Sequence, residues 1–216
     1  AKRSYSGTGT TWYDLSGNSA DALLRDGPVF NSSYFSFDGL NDRATLDPSS
    51  DLYSWKPSGG VNNYLTIETW VRTSETSGYI FSKPWNGGGG YNYRLKPAEY
   101  FVGTDTGTTV GFTSIADGNW KHVVMLIDPI NVTVYVNGIE HSSPTAHSLS
   151  SNDNANGNTV YRMALMTLYP YTSNPWAGNT GFSIDGDMAS FKIYNRTLSE
   201  LEVVQNYRSH KTRFGL

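Results

Sequence analysis

An all-β fold of two antiparallel sheets packed face to face, with a short C-terminal helix, is the fold class this sequence predicts. Three observations predict it. Short alternating or apolar runs recur along the chain, separated by turn formers at roughly 8–12-residue spacing. The chain of 216 residues carries 15 Tyr, 9 Phe and 6 Trp beside 22 Gly, a mixture suited to pleated strands joined by long polar loops. Helical start signals gather in one segment near the C-terminus. A sandwich commonly reaches roughly 200–250 residues as one domain. No linker or internal repeat divides the sequence, so residues 1–216 read as a single domain.

The first 30 residues are rich in turn formers around Leu23 and Leu24, and they predict a loop-rich entry with at most a short strand. "YFSFDG" (34–39) alternates and stops at an Asp-Gly turn signal, and "RATL" follows. "YLTIETWVR" is the clearest strand. Leu65, Ile67, Thr69 and Val71 share one face, while Thr66, Glu68, Trp70 and Arg72 share the other. "GYIFSK" (78–83), "YNYRL" (91–95), "EYFVG" (99–103) and "TTVGF" are short runs cut by Gly and Pro. Residues 120–127 are apolar on both faces, which predicts a central strand covered on both sides. Asp128-Pro129-Ile130-Asn131 turns the chain into "VTVYV" (132–136), and Asn137-Gly138 supplies a primed hairpin turn. A polar tract over 141–158 precedes the strand "TVYRMALMTL", and the last strand block is "MASFKIYN". "SELEVVQNYRSH" reads as a helix. Ser199 caps it, Glu202 completes a capping box, Leu198 staples onto Val203, and Leu201, Val204 and Tyr207 form the predicted docking stripe.

The composition excludes several classes of function. With 16 basic against 19 acidic side chains and no basic run, the chain lacks the clustered cations that displace counterions from nucleic acid. No apolar stretch approaches the roughly 20 residues of a membrane-spanning helix. The absence of cysteine removes disulfides, thiolate metal sites and cysteine nucleophiles.

Six segments, in order, carry a family resemblance: "WYDLSGN" (12–18), "FDGLNDRATL" (37–46), "LTIETWVR" (65–72), "GNWKHVVMLID" (118–128), "VYVNG" (134–138) and "GDMASFKIYNRTLSELEVVQNY" (186–207). Together they resemble the concanavalin A-like, laminin-G-like jelly-roll domains. The ending "RFGL" (213–216) is similar to versions found in phage and other virion appendage proteins and in bacterial surface proteins. The resemblance implies an antiparallel jelly-roll sandwich with a concave face and rim loops where many members bind sugar. It also implies an extracellular or virion-surface location. A strand that usually precedes "SYSGTGTTWYDLSGN" is missing, so the chain is expected to be part of, or processed from, a longer polypeptide.

Glucanases of this fold place Glu, Asp and Glu on alternate strand positions, because retaining hydrolysis needs two carboxyl groups about 5–5.5 Å apart. "TIETW" offers Glu68 alone, and catalysis is not expected. His122 reads as a structural histidine inside a buried strand. For calcium, a hard cation seeking oxygen ligands, the resemblance points to Asp38, Asn41 and Asp42 in "FDGLND" and to Asp187 in "IDGD". The alternative is that Asp38 and Gly39 simply make a turn. Sugar recognition needs a flat aromatic face for the ring C–H groups and planar polar groups for the hydroxyls. Two loops supply both: Trp85, Asn86, Tyr91 and Tyr93 in "KPWNGGGGYNYR", and Tyr169, Tyr171, Asn174 and Trp176 in "LYPYTSNPWAGN". The same side chains would also suit an interface with neighbouring structural subunits. Trp12, Trp70 and Trp120 read as core.

The expectation is a non-catalytic carbohydrate-recognition or adhesion module, whose partner is a glycan. The competing readings are a structural virion or surface domain forming oligomers through its loops, and a degenerate glycan hydrolase relying on Glu68.

Overall fold

A computed structural model describes residues 1–46, 64–83, 92–103, 108–147, 163–168 and 182–216. In chain order the strands are β1 (Thr11–Trp12), β2 (Ala22–Arg25), β3 (Val29–Phe30), β4 (Phe35–Asp38), β5 (Arg43–Leu46), β6 (Leu65–Arg72), β7 (Phe81–Lys83) and β8 (Asn92–Leu95). They continue with β9 (Glu99–Gly103), β10 (Thr108–Gly111), β11 (Lys121–Ile127), β12 (Asn131–Val136), β13 (Ile139–Ala146), β14 (Ala164–Leu165) and β15 (Asp185–Tyr194). Helix α1 (Glu200–His210) and a 3-10 turn (Lys211–Phe214) end the chain.

The strands form two antiparallel sheets, as the sequence predicts. One has eight strands in the order β1-β2-β5-β14-β7-β8-β9-β10, the other seven in the order β13-β12-β11-β6-β15-β4-β3. Between them lies one core, to which Phe35, Phe37, Ile67, Phe81, Leu95 and Met125 contribute fully buried side chains. Alternation within β6 is the reason for the layering. Ile67 and Val71 enter this core, while Thr66, Glu68 and Trp70 face away from it yet are also buried.

A second, smaller core covers that outer side. Val124 from β11 and Tyr135 from β12 meet Leu198 and Val203 at the start of α1, so the central strand β11 is indeed covered on both faces. Ser199 Oγ accepts the Glu202 N–H, and the Glu202 carboxylate accepts the Ser199 N–H, completing the predicted capping box. The docking stripe differs from the prediction. Val203 is buried and Leu201 is 65% exposed, because the helix is rotated so that Val203, Asn206 and Tyr207 meet the sheet. Gly138 permits the approach. It takes a positive φ of 78° in the predicted Asn-Gly turn, and a Cβ there would stand 3.2 Å from the Tyr207 ring.

Three further differences are local. The entry segment holds three short strands rather than at most one, because Leu24 and Trp12 reach the core while β2 hydrogen-bonds to β5. The polar tract after Gly138 begins as an edge strand, β13, in which Ser143 is exposed while Ser142 is buried and accepts the Val134 N–H beside a bulged ladder to β12. Of the three Trp expected in the core, Trp12 lies there, while Trp70 is buried beneath the C-terminal segment, stacked on Phe214 at 4.1 Å. Trp120 is half-buried at the sheet margin, between Phe214, Tyr34 and the Arg72 guanidinium.

Among the described residues no helix is long and apolar enough to cross a membrane.

Candidate functional site

Each sheet has an outer face, and the two are built differently. On the seven-stranded sheet, Glu68 of β6 is fully buried at the centre. Its Oε1 accepts Lys192 Nζ at 2.6 Å, and its Oε2 accepts Tyr194 Oη at 2.9 Å and Asn206 Nδ2 at 2.8 Å. His122 Nε2 stands 3.3 Å from Oε1, an electrostatic contact rather than an aligned hydrogen bond. Burial alone would raise the Glu68 pKa. The His122 ring and the charge and hydrogen bond of Lys192 outweigh burial and hold it at about 2. Covered by α1 and with both oxygens taken by neighbouring side chains, Glu68 is built as part of the frame.

On the eight-stranded sheet the outer face can be followed by register. Thr45, Ala164, Ser82, Arg94, Phe101 and Thr109 are successive cross-strand partners from β5 to β10. The middle of this row is closed, with Thr45, Ala164 and Ser82 all buried. Towards β8 and β9 it opens: Arg94 and Phe101 are half-buried, and Thr109 is exposed. The Arg94 guanidinium carbon lies 4.3 Å from the centre of the Phe101 ring and 5.8 Å from that of Tyr79. Lys96 lies over the Tyr79 ring at 5.1 Å and pairs with Glu99 at 2.6 Å. This cluster, aromatic and cationic together, is the candidate site.

The same alternation disposes of Tyr93. It lies opposite Val102 on the core side of the β8–β9 ladder and is 2% exposed, so its ring is within the sandwich and cannot stack on a sugar. "YNYRL" contained the signal: a residue two before Leu95 shares its face. Arg94, which sequence reasoning passed over, is on the opposite face for the same reason. Trp85, Asn86, Tyr91, Tyr169, Tyr171, Asn174 and Trp176 lie outside the described residues. The segment carrying Trp85 and Tyr91 leaves from the end of β7 and returns at the start of β8, the strand that holds Arg94.

The oxygen ligands proposed for calcium are not assembled into one set. Asp38 Oδ1 accepts the N–H groups of Leu40, Asn41 and Asp42 at 2.8, 3.3 and 3.3 Å, and so serves the Asp38-Gly39 turn. Asn41 gives its carbonyl to Arg43 Nη1. Asp187 stands opposite Ser36, not Asp38, and its carboxylate is held by Arg72 and by Ser36 Oγ. Asp42 is buried, and burial followed by the charge of Asp38 pushes its pKa up to about 6. Among the described residues no group of three or more His, Asp or Glu side chains converges as a metal cluster. Asp38 and Asp42 lie close together, whereas Asp187 is engaged by Arg72 on the other side of β4.

Comparison with known proteins agrees with this architecture. The model of a family described as the concanavalin A-like lectin/glucanases superfamily matches residues 47–204. No curated protein matches the sequence significantly. Among solved structures, a Trypanosoma rangeli sialidase, in complex with a difluoro sugar acid, superposes with a TM-score of 0.66 at 16% identity over 96% of this chain and 32% of that one. The receptor-binding domain of a botulinum neurotoxin C/D mosaic serotype gives 0.64 at 12% identity, over 97% of this chain and 52% of that one. The binding domain of serotype D gives 0.62 at 12% identity, over 92% and 48%. At such identities the likeness is one of fold, and the chain spans about a third to a half of the length of these proteins.

Proposed function

The chain belongs to the concanavalin A-like lectin/glucanase superfamily, and from that premise we propose that it is a non-catalytic carbohydrate-recognition or adhesion module of an extracellular or virion surface. The observation that carries the proposal is the inequality of the two outer faces. The carboxylate face is sealed by a helix and saturated with partners, whereas the face of the eight-stranded sheet keeps a half-exposed arginine on an aromatic ring. Laminin-G-like domains are typically surface-exposed or extracellular, and the fold is of the lectin type. Solved structures of similar fold include a toxin receptor-binding domain and a sialidase.

The mechanism follows from what a sugar offers. Its C–H face stacks on Trp or Tyr, and planar amides and carboxylates take its hydroxyls in pairs. We assign the stacking to Trp85, Tyr91, Tyr169, Tyr171 and Trp176, and the hydroxyl contacts to Asn86 and Asn174. Trp85, Asn86 and Tyr91 fall between β7 and β8 in sequence, and Tyr169, Tyr171, Asn174 and Trp176 between β14 and β15. Glycan-array binding tests this. Trp85→Ala and Trp176→Ala are expected to lower binding about tenfold or more while melting temperature is maintained. Binding that survives both substitutions removes those loops from the site. Hydrolysis of a bound glycan replaces the module with an enzyme, and solution oligomers that the same substitutions dissociate replace glycan with a neighbouring subunit.

A further inference from the structure

We infer that Arg94 is an anion anchor, and that the glycan recognised at this face is an acidic saccharide bearing carboxylate or sulfate. The inference rests on the carbohydrate-binding reading above and adds the ligand's charge to it.

The starting point is how arginines are satisfied in this protein. Arg72 is held by Asp187, Arg43 by Asp26, and Arg196 binds Glu202 through both terminal nitrogens. Arg94 has no carboxylate partner among the described residues. Its Nη1 reaches Tyr79 Oη at 3.5 Å, the outer limit of a hydrogen bond, and its Nε is buried without a partner. A guanidinium carries five N–H donors in a planar fork that matches a carboxylate or sulfate two bonds at a time. Here one weak bond uses one of them.

The setting holds that fork in place. The guanidinium lies 4.3 Å over Phe101, an attraction that positions its plane while leaving the N–H edge unused. Among the described residues, the cross-strand neighbours of Arg94 add no compensating negative charge. Ser82 and Phe101, the cross-strand partners of Arg94, are neutral. Glu99, the nearby acid in the β8–β9 hairpin, is taken by Lys96 at 2.6 Å. A half-buried cation left this way retains a net positive field and unused donors. Thr109, exposed beyond Phe101 in the same row, offers a hydroxyl to the rest of a sugar ring. That pairing of a hydroxyl with an anion fork favours an acidic saccharide over an isolated inorganic anion.

The test is binding of the intact protein to an array holding neutral, carboxylated and sulfated glycans, together with a polyglutamate peptide. Wild type is expected to select the anionic members, with binding that weakens as salt rises. Arg94→Ala should lower that binding about tenfold or more, the loss expected for a charged hydrogen-bonded contact. Its melting temperature should move by no more than about 2–4 °C, since one cation–π contact is lost. Arg94→Lys keeps the charge and loses the fork; failure to restore binding supports bidentate recognition, and full restoration overturns it. Preference for carboxylated over sulfated members, or the reverse, identifies the source of the anion. Binding confined to neutral glycans and indifferent to Arg94→Ala overturns the anion anchor while leaving the lectin reading intact. Binding of polyglutamate without any glycan overturns the saccharide class. No binding to any member overturns both.

Discussion

Glu68 and Arg94 occupy comparable positions, each near the middle of a strand and each facing away from the main core, yet their charges are treated in opposite ways. Glu68 has Lys192, Tyr194 and Asn206 bound to its two oxygens, with His122 alongside and a helix over it. Arg94 has a phenyl ring beneath it and a distant tyrosine hydroxyl. A buried carboxylate must be compensated or the fold cannot form. A half-buried guanidinium can be left partly unbonded at lower cost, because its delocalised charge is more weakly hydrated. Saturation of a charged group, rather than residue type, is thus what separates the frame from the proposed site in this sandwich.

Removing the frame's charge should have the largest effect. Glu68→Ala leaves Asn206, Tyr194 and His122 facing a void beneath the helix, and is expected to cost about 3–5 kcal/mol in urea unfolding. Glu68→Gln keeps an acceptor oxygen and the volume, and should cost less. Equal losses for Glu68→Ala and Arg94→Ala would erase the contrast between the two faces. The pH dependence gives the sign. The folded pKa of Glu68, about 2, lies below the ordinary 4.5. Its stabilisation is therefore fully present above about pH 4.5 and is lost as pH falls towards 2.

Asp42 tests the same idea with the sign reversed. It is 5% exposed, just before β5, and its charged neighbours include Asp38 and Asp26 rather than a lysine. Its folded pKa of about 6 exceeds the ordinary 3.8, so the folded state holds a proton that the unfolded chain releases. Stability should then fall as pH rises from about 4 to 6. Asp42→Asn is expected to remove that slope and to raise stability at neutral pH by about 1–3 kcal/mol. A variant less stable than wild type at pH 7 would mean that the carboxylate has a compensating partner and belongs with Glu68.

The frame was legible in the sequence to a greater degree than the site, for physical reasons visible in particular residues. Burial on both faces made residues 121–127 unmistakable, and Ser199 with Glu202 announced the helix start, because capping chemistry is local. The helix rotation was not legible. It depends on Asn206 reaching Glu68, 138 positions away. Nor was Trp120 readable as a marginal residue, since Tyr34 and Phe214, its ring neighbours, come from opposite ends of the chain. Tyr93 and Arg94 illustrate the site's difficulty. Aromatic type suggested Tyr93 as a ligand contact, but the period of two assigns it to the core and leaves Arg94 outside. Alternation therefore outranks residue type when a candidate lies inside a strand.

The smallest predicted effect concerns the lid over Glu68. Ser199→Ala removes the side-chain oxygen that accepts the Glu202 N–H, and should cost about 1 kcal/mol. Glu202 can still accept from the Ser199 backbone and pair with Arg196, so α1 should fray rather than detach. The informative readout is local. Hydrogen exchange at Val203, Asn206 and Tyr207 should quicken, while exchange in β8 and β9 stays at its wild-type rate, because α1 packs on the seven-stranded sheet. Faster exchange in both places would mean that the two faces open together. In that case the sealed carboxylate and the half-buried arginine would belong to one cooperative unit, and a ligand gripping Arg94 would also tighten the helix.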